Sequence, residues 1–123
     1  MNLKPRTFET KSSHPAFLRD HKNLEWTVGN ITLDAAKLSE NETVAAGTAV
    51  FRNDDTGLYE LVAEDTAATM AAPVLTAYDV VVEDVEVNES VPAIRKASVY
   101  EELLTGVTDN FKAATQGRIT YDI

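Results

Sequence analysis

The 123-residue chain contains no cysteine and no long apolar run. The first absence excludes disulfides, thiolate metal sites and a cysteine nucleophile, and it fits a reducing cytosol. The second excludes a membrane-spanning helix, which needs about 18–20 apolar residues, so no membrane partner is expected. The first residues, Met1 to Arg6, carry charge without an apolar segment behind them, so we expect no secretory signal.

Residues that commonly perform catalysis are also scarce. The chain has two histidines, His14 and His21, both near the N-terminus. No serine lies in a Gly-x-Ser-x-Gly setting, and no glycine-rich loop is present that would bind phosphate. We therefore predict that the protein is not an enzyme and has no cofactor.

Two acidic clusters are candidates for metal binding or acid–base chemistry. Asn53-Asp54-Asp55 lacks the twelve-residue spacing and the closing glutamate of a calcium-binding EF-hand, so a polar hairpin tip is predicted and no metal site. Glu83, Asp84 and Glu86 are close enough in sequence to act as an acid–base pair, but no other feature supports that role.

Basic residues are in the minority and unevenly placed. The net charge is −9. Residues 1–22 carry five basic and two acidic side chains, a net charge of +3, whereas the remainder carries six basic and eighteen acidic ones, a net charge of −12. The acidic body argues against a nucleic-acid partner, because phosphate binding relies on clustered Lys and Arg. A basic head on an acidic body is typical of an interaction arm, and the alternative is a terminal tail without a partner.

The arm, residues 1–25, has no sustained periodicity, and Pro5 and Pro15 block a continuous helix. It nevertheless contains large apolar side chains that a purely solubilising tail does not need. These are Leu3, Phe8, Phe17, Leu18, Leu24 and Trp26. We predict that such residues anchor the arm to another surface, and the alternative for Leu24 and Trp26 is that they fold back onto the body.

The body is predicted to be built around a hairpin in Thr43 to Val62. Thr48–Phe51 and Leu58–Val62 are apolar runs separated by a polar loop that ends in Gly57. Length and composition indicate one domain with a single core, since 44% of the residues are hydrophobic and 25% are charged.

The remaining pattern is mostly that of short strands. The predicted strands are Trp26–Val28, Ile31–Leu33, Val74–Tyr78, Val80–Val82, a half-buried strand end at Val85 and Val87, Val91–Val99 and Arg118–Ile123. Asp34 caps a single helical turn. Helical spacing is predicted from Ser98 to Val107, and a second short helix, Asp109 to Thr115, is capped by Thr108 and stopped by Gln116-Gly117.

The predicted fold class is therefore mainly β (α+β). We expect a small β-sandwich or β-tulip-like domain, residues 26–123, with one or two short helices and an extended N-terminal arm, residues 1–25.

Residues 38–123 resemble the head decoration proteins of tailed bacteriophages, the family of the phage lambda head protein D. The resemblance is a diffuse pattern of successive elements. The segments that carry it are Leu38 to Gly47 (LSENETVAAG), Thr48–Phe51, the loop to Gly57-Leu58-Tyr59, Pro73-Val74-Leu75, Val91 to Leu104 (VPAIRKASVYEELL) and Arg118–Tyr121.

The resemblance implies a structural virion protein, made in the host cytoplasm, that binds the outer surface of the expanded capsid as a homotrimer and stabilises the shell. The implied partners are the major capsid protein and other copies of the chain. In that family the N-terminal arm orders on the shell and adds as a strand to capsid subunits.

The arm contains no family motif, so its capsid-binding residues are chosen from composition. They are Leu3, Arg6, Phe8, Phe17, Leu18, Arg19 and Trp26. Deletion of residues 1–22 is expected to abolish capsid binding and to leave the fold intact. Two alternatives remain: another virion component, such as a tail or baseplate β-domain, and a non-viral ligand-binding β-module.

Overall fold

The computed structural model describes residues 15–19 and 24–122. It is mainly β, which confirms the predicted fold class. The strands are β1 (Glu25–Trp26), β2 (Ile31–Leu33), β3 (Glu42–Val44), β4 (Ala49–Arg52), β5 (Tyr59–Leu61), β6 (Ala71–Thr76), β7 (Val80–Val82), β8 (Glu89–Val91), β9 (Ala93–Tyr100) and β10 (Ile119–Asp122). The α-helix α1 is Asp109–Thr115, and Ala35–Lys37 and Glu101–Leu103 form 3-10 turns.

Eight strands form one sheet in the order β1-β9-β6-β4-β5-β2-β8, with β10 beside β9, while β3 and β7 pair separately. Only Pro92 separates β8 from β9. The strand at one end of this order therefore continues directly into a strand near the other end. Because one stretch of chain joins both ends, the sheet curls into a barrel-like shape, which removes most of its open edges.

Both faces of the central strands are buried, because successive side chains on a strand point to opposite faces. Val50, Val74 and Ala93 belong to an inner core enclosed by the curled sheet. Their neighbours Ala49, Leu75 and Ile94 belong to an outer core. Other members of the outer core are Phe111 of α1, Ile119 of β10 and Phe17.

The predicted hairpin at Thr43 to Val62 is confirmed. β4 and β5 are antiparallel, with Val50 opposite Leu61 and Arg52 opposite Tyr59. The loop is closed by the Asn53 N–H, which donates to the Leu58 carbonyl at 2.8 Å, and by Gly57 at φ +76°. A residue without a Cβ adopts this conformation readily, which explains the glycine at the end of the loop.

Two predicted helical segments have opposite outcomes. The helix Asp109 to Thr115 is confirmed, with Thr108 as its N-cap and Gln116 as its left-handed C-cap. The predicted helix from Ser98 to Val107 is wrong: β9 continues to Tyr100 and only a 3-10 turn follows. Pairing with β10 provides backbone partners that outweigh the local helical spacing of apolar residues.

Three smaller predictions are also resolved. The single helical turn behind Asp34 is confirmed, because the Asp34 carboxylate accepts from the Ala36 N–H. The strand end at Val85 and Val87 is wrong, since Asp84 to Val87 forms a turn and Val87 is 54% exposed. The predicted strand Val74–Tyr78 begins and ends earlier in the chain, because β6 is Ala71–Thr76 and includes Pro73. No helix among the residues described is long and apolar enough to cross a membrane.

Candidate functional site

Residues 17–19 lie beside β9 as a short added strand. The Phe17 carbonyl accepts a hydrogen bond from the Tyr100 N–H at 2.8 Å, and the Arg19 N–H donates to the Ser98 carbonyl at 2.9 Å. Leu18, between them, forms an antiparallel bridge with Val99. These bonds fix the point at which the N-terminal arm joins the body.

Phe17, predicted as a capsid-binding residue of the arm, packs with the body in this structure. Its side chain is 2% exposed and lies in the outer core. A Cβ placed on Gly47 would meet the Phe17 ring at 3.0 Å, so the packing here is close. A side chain this deeply buried contacts no partner surface unless the core opens. The role of Phe17 in capsid binding stays a prediction.

The other predicted arm residues are placed differently. Leu18 and Leu24 are half-buried against the outer core, as the alternative reading of Leu24 predicts. Arg19 is exposed. Trp26 lies in β1 opposite Ile94, is 39% exposed and stacks on Tyr78, with ring centroids 6.4 Å apart.

Three predicted capsid-binding residues, Leu3, Arg6 and Phe8, lie outside the described residues. Their roles stay predictions. Of the four predicted residues that the structure describes, Arg19 and Trp26 are exposed, Leu18 is half-buried and Phe17 is buried.

A groove that the sequence did not indicate opens beside β6, with a volume of about 410 Å³. Val50 of β4 is opposite Val74 of β6, and Arg52 is opposite Ala71. Two steps along β4 thus correspond to three steps along β6. β6 therefore has one extra residue, a β-bulge, and Ala72 there has φ +47°. Bulges redirect side chains and are common beside functional sites, and a positive φ outside glycine marks local strain.

The lining of the groove is largely apolar. Val28, Tyr59, Pro73 and Val74 contribute to it, and Val28 is fully exposed. Val28 lies on the connection from β1 to β2, between opposite parts of the strand order. The groove is therefore bounded by this crossing segment and by the strands of the curled sheet.

Two arginines supply the charge of the groove, Arg95 of β9 and Arg118 just before β10. The Arg95 guanidinium forms an ion pair with Glu25. The Arg118 guanidinium donates to two backbone carbonyls, that of Arg95 at 2.6 Å and that of Pro73 at 3.4 Å. Burial, and secondly the positive charge of Arg95, lower the pKa of Arg118.

Arg118 forms no ion pair with a carboxylate among the side chains that the structure describes. The negative charge of Glu25 acts on it, but Glu25 is ion-paired with Arg95. Partial burial of a charge without a direct ion pair is unfavourable, and guanidinium groups bind carboxylates with good geometry. The groove is therefore suited to an apolar side chain that lies next to a carboxylate.

The sequence contains only a weak signal for this groove. Arg95 and Arg118 are two of the six basic residues in an acidic body. They lie 23 positions apart, and the parallel register that places Ile119 beside Ala97 brings them together. That register depends on the crossover through α1, which periodicity does not reveal.

The acidic hairpin tip is occupied by its own contacts. Asp54 accepts from the Arg52 guanidinium at 2.9 Å, and the Asn53 side chain accepts from the Asp55 N–H and donates to Glu60. Within the described ranges, no group of three or more His, Asp or Glu is arranged to hold a metal ion.

Comparisons with known proteins give no relative for this chain. No family model matches it, and no curated protein and no solved structure is significantly similar to it. Its resemblance to head decoration proteins therefore stays a prediction from the sequence.

Proposed function

We propose that the protein is a structural virion protein that binds the outer surface of an expanded bacteriophage capsid as a homotrimer and stabilises the shell. The proposal comes from the order of elements over residues 38–123, which resembles head decoration proteins. A small β domain with a basic N-terminal arm on an acidic body is compatible with that role.

The single observation that supports the proposal most directly is the backbone attachment of residues 17–19 to β9. An arm that is to hold another subunit must transmit force to its own domain. Two backbone hydrogen bonds and the buried Phe17 ring provide that attachment. Residues 15–19 are therefore held against the body.

Strand addition is the binding mode that suits such an arm. Main-chain hydrogen bonds contribute affinity, and alternate side chains enter pockets of the partner. Ordering the arm has an entropic cost, which Leu3 and Phe8 are proposed to offset by burial on the shell. Many copies on one closed shell add avidity that a single short arm lacks.

The test uses expanded shells, without their decoration protein, of the phage that carries this gene. Full-length protein and a variant lacking residues 1–14 are mixed with the shells, and co-sedimentation and electron microscopy measure the bound copies. The full chain is expected to occupy regular positions on the outer surface. The shortened chain is expected to lose most binding while its thermal unfolding is unchanged.

The deletion of residues 1–22, predicted to leave the fold intact, is less suited to this test than the deletion of residues 1–14. It removes the buried Phe17 ring, so a loss of binding would not separate the arm from the core. If the variant lacking residues 1–14 binds shells as well as the full chain does, the proposed role of the arm is wrong. If the full chain lies in the tail, the proposed place in the virion is wrong.

A further inference from the structure

The groove beside β6 contains a positive charge, that of Arg118, which forms no ion pair with the side chains that the structure describes. Glu25, whose negative charge also acts on Arg118, is ion-paired with Arg95. Arg118 is half-buried, its donors reach only backbone carbonyls, and Arg95 lies next to it. An acidic group entering the groove would approach the Arg118 guanidinium, and it would share the Arg95 guanidinium with Glu25. Val28, Pro73 and Val74 would contact an apolar neighbour of that group.

A surface with the matching chemistry lies on the same chain, in the loop between β7 and β8. It has the sequence Glu83-Asp84-Val85-Glu86-Val87-Asn88. Glu83 and Glu86 are exposed, and Val87 is 54% exposed beside them. This acidic loop therefore presents carboxylates next to an apolar side chain.

The acidic loop is held in a defined shape. The Val87 N–H donates to the Asp84 carbonyl at 3.0 Å, and the Glu86 N–H donates to the Asp84 carboxylate at 2.9 Å. The Asn88 side chain accepts from the Ala35 N–H at 2.9 Å, which attaches the end of the loop to the body. A shaped loop loses little conformational entropy on binding.

The acidic loop does not line the groove of its own chain. The residues around the groove come from the β1–β2 connection, β5, β6, β9 and the position just before β10, and none belongs to residues 83–88. The ends of the loop are fixed elsewhere, since Val82 pairs with Glu42 and the Asn88 side chain accepts from the Ala35 N–H. The groove therefore stays open to the loop of a second copy.

We infer that the groove of one protomer receives the acidic loop of a second copy, with Glu83 or Glu86 facing Arg118 and Arg95 and Val87 entering the apolar part. Each interface of a cyclic trimer joins two different patches, and the groove and the loop are such a pair. This inference rests on the proposed homotrimer and names the surfaces that form it.

The contact is testable with full-length protein, because the chain has no cysteine and a single introduced cysteine accepts one spin label. A Val87→Cys protein that carries a nitroxide is mixed with ¹⁵N-labelled protein of the natural sequence, which carries no spin label. Each protein is present at roughly 0.5 mM, a concentration that suits contacts of millimolar Kd. Intermolecular relaxation enhancement is then measured for each backbone amide. Amides of Val28, Ala72 and Arg95 are expected to be enhanced.

The control label is placed at Ala68→Cys, an exposed loop position outside both surfaces. Enhancement at the groove is expected to be at least about threefold greater from position 87 than from position 68, because opposite charges steer the loop to the groove. It is also expected to fall with added salt, which screens charges beyond a few ångströms.

Charge reversal tests the contact between the groove and the acidic loop. Arg118→Glu in the ¹⁵N-labelled partner is expected to remove the enhancement, and Glu83→Lys with Glu86→Lys in the spin-labelled partner is expected to do the same. Combining the two reversed proteins is expected to restore it. Glu64→Lys with Asp65→Lys, an equal charge change on another exposed loop, is the matched control and is expected to have no effect.

Arg118→Gln, which removes the charge without adding an acid, repeats the measurement if Arg118→Glu perturbs the fold. Two results overturn the inference. One is that the relaxation enhancement of the groove amides is no greater with the label at position 87 than with the label at position 68. The other is that combining the two charge-reversed proteins does not restore this enhancement. Shell binding is measured separately. A protein that decorates shells without this contact overturns only the inference, whereas the contact without shell binding overturns only the proposed function.

Discussion

Gly47 shows how a single position joins the arm to the body. Its φ is +83°, and a Cβ there would meet Phe17 at 3.0 Å and Leu104 at 3.1 Å. The Gly47 N–H donates to the Thr76 carbonyl at 2.7 Å, and the Gly47 carbonyl accepts from the Thr105 N–H at 3.1 Å. A glycine here therefore satisfies a left-handed turn and leaves room for the aromatic ring.

We predict that Gly47→Ala destabilises the protein more than Gly57→Ala does. Both glycines have positive φ, but a Cβ at Gly57 meets nothing within 4 Å. The left-handed backbone alone costs about 1–2 kcal/mol, which is the expected loss for Gly57→Ala. Overpacking adds about 1–3 kcal/mol at Gly47. Urea unfolding monitored by circular dichroism measures both variants, and equal losses would contradict the close packing of Phe17.

Arg118 illustrates what composition does and does not reveal about one residue. Its charge is visible in the sequence as a minority charge on an acidic body. Its burial, its bonds to the carbonyls of Arg95 and Pro73 and the lowered pKa depend on the position of β10. The chemical environment of such a residue is set by segments distant in sequence.

At the scale of elements, β9 organises the domain. Its residues pair with β6 and β10 and also with β1, and its last residues contact the root of the arm. Alternating apolar residues over Val91–Val99 predicted most of this strand correctly. The sequence did not predict its extension to Tyr100, because helical spacing after Ser98 competed with pairing that only the folded chain provides.

The confirmed helix α1 allows an element-scale prediction. The Thr108 hydroxyl accepts from the Phe111 N–H at 3.1 Å and caps the helix. Replacing Thr108 with Ala is expected to lower the free energy of unfolding by about 1 kcal/mol, whereas Ser retains the hydroxyl and most of the stability. Thermal unfolding of both variants measures the difference. If Thr108→Ser loses as much stability as Thr108→Ala, the hydroxyl is not the stabilising group.

At the scale of the whole molecule, the folded domain begins earlier in the chain than its composition suggests. Pro15 and Phe17 are buried, and residues 17–19 are paired with β9. The basic charge and the prolines of residues 1–25 indicate a separate arm, but one aromatic ring within that range completes the outer core. Residues 15–19, which the composition groups with the arm, therefore pack with the body.

Two truncations test this boundary. Removing residues 1–14 is expected to leave the midpoint of thermal unfolding nearly unchanged. Removing residues 1–19 is expected to destabilise the domain by at least about 3–5 kcal/mol, the usual loss for deleting a buried Phe side chain. Differential scanning calorimetry compares the two proteins with the full chain. Equal unfolding midpoints for both truncations would show that Phe17 contributes little to the core.

The sequence alone determined the β-rich class, the hairpin of β4 and β5 and the capped helix α1. Each depends on local information: alternation with period two, a turn residue that tolerates positive φ, or a hydroxyl at a helix start. Tertiary structure decided the closure of the sheet through β8 and β9, the burial of Phe17 and the meeting of Arg95 with Arg118. These features join residues distant in sequence, and their free energy comes from burial and pairing that exist only in the folded chain.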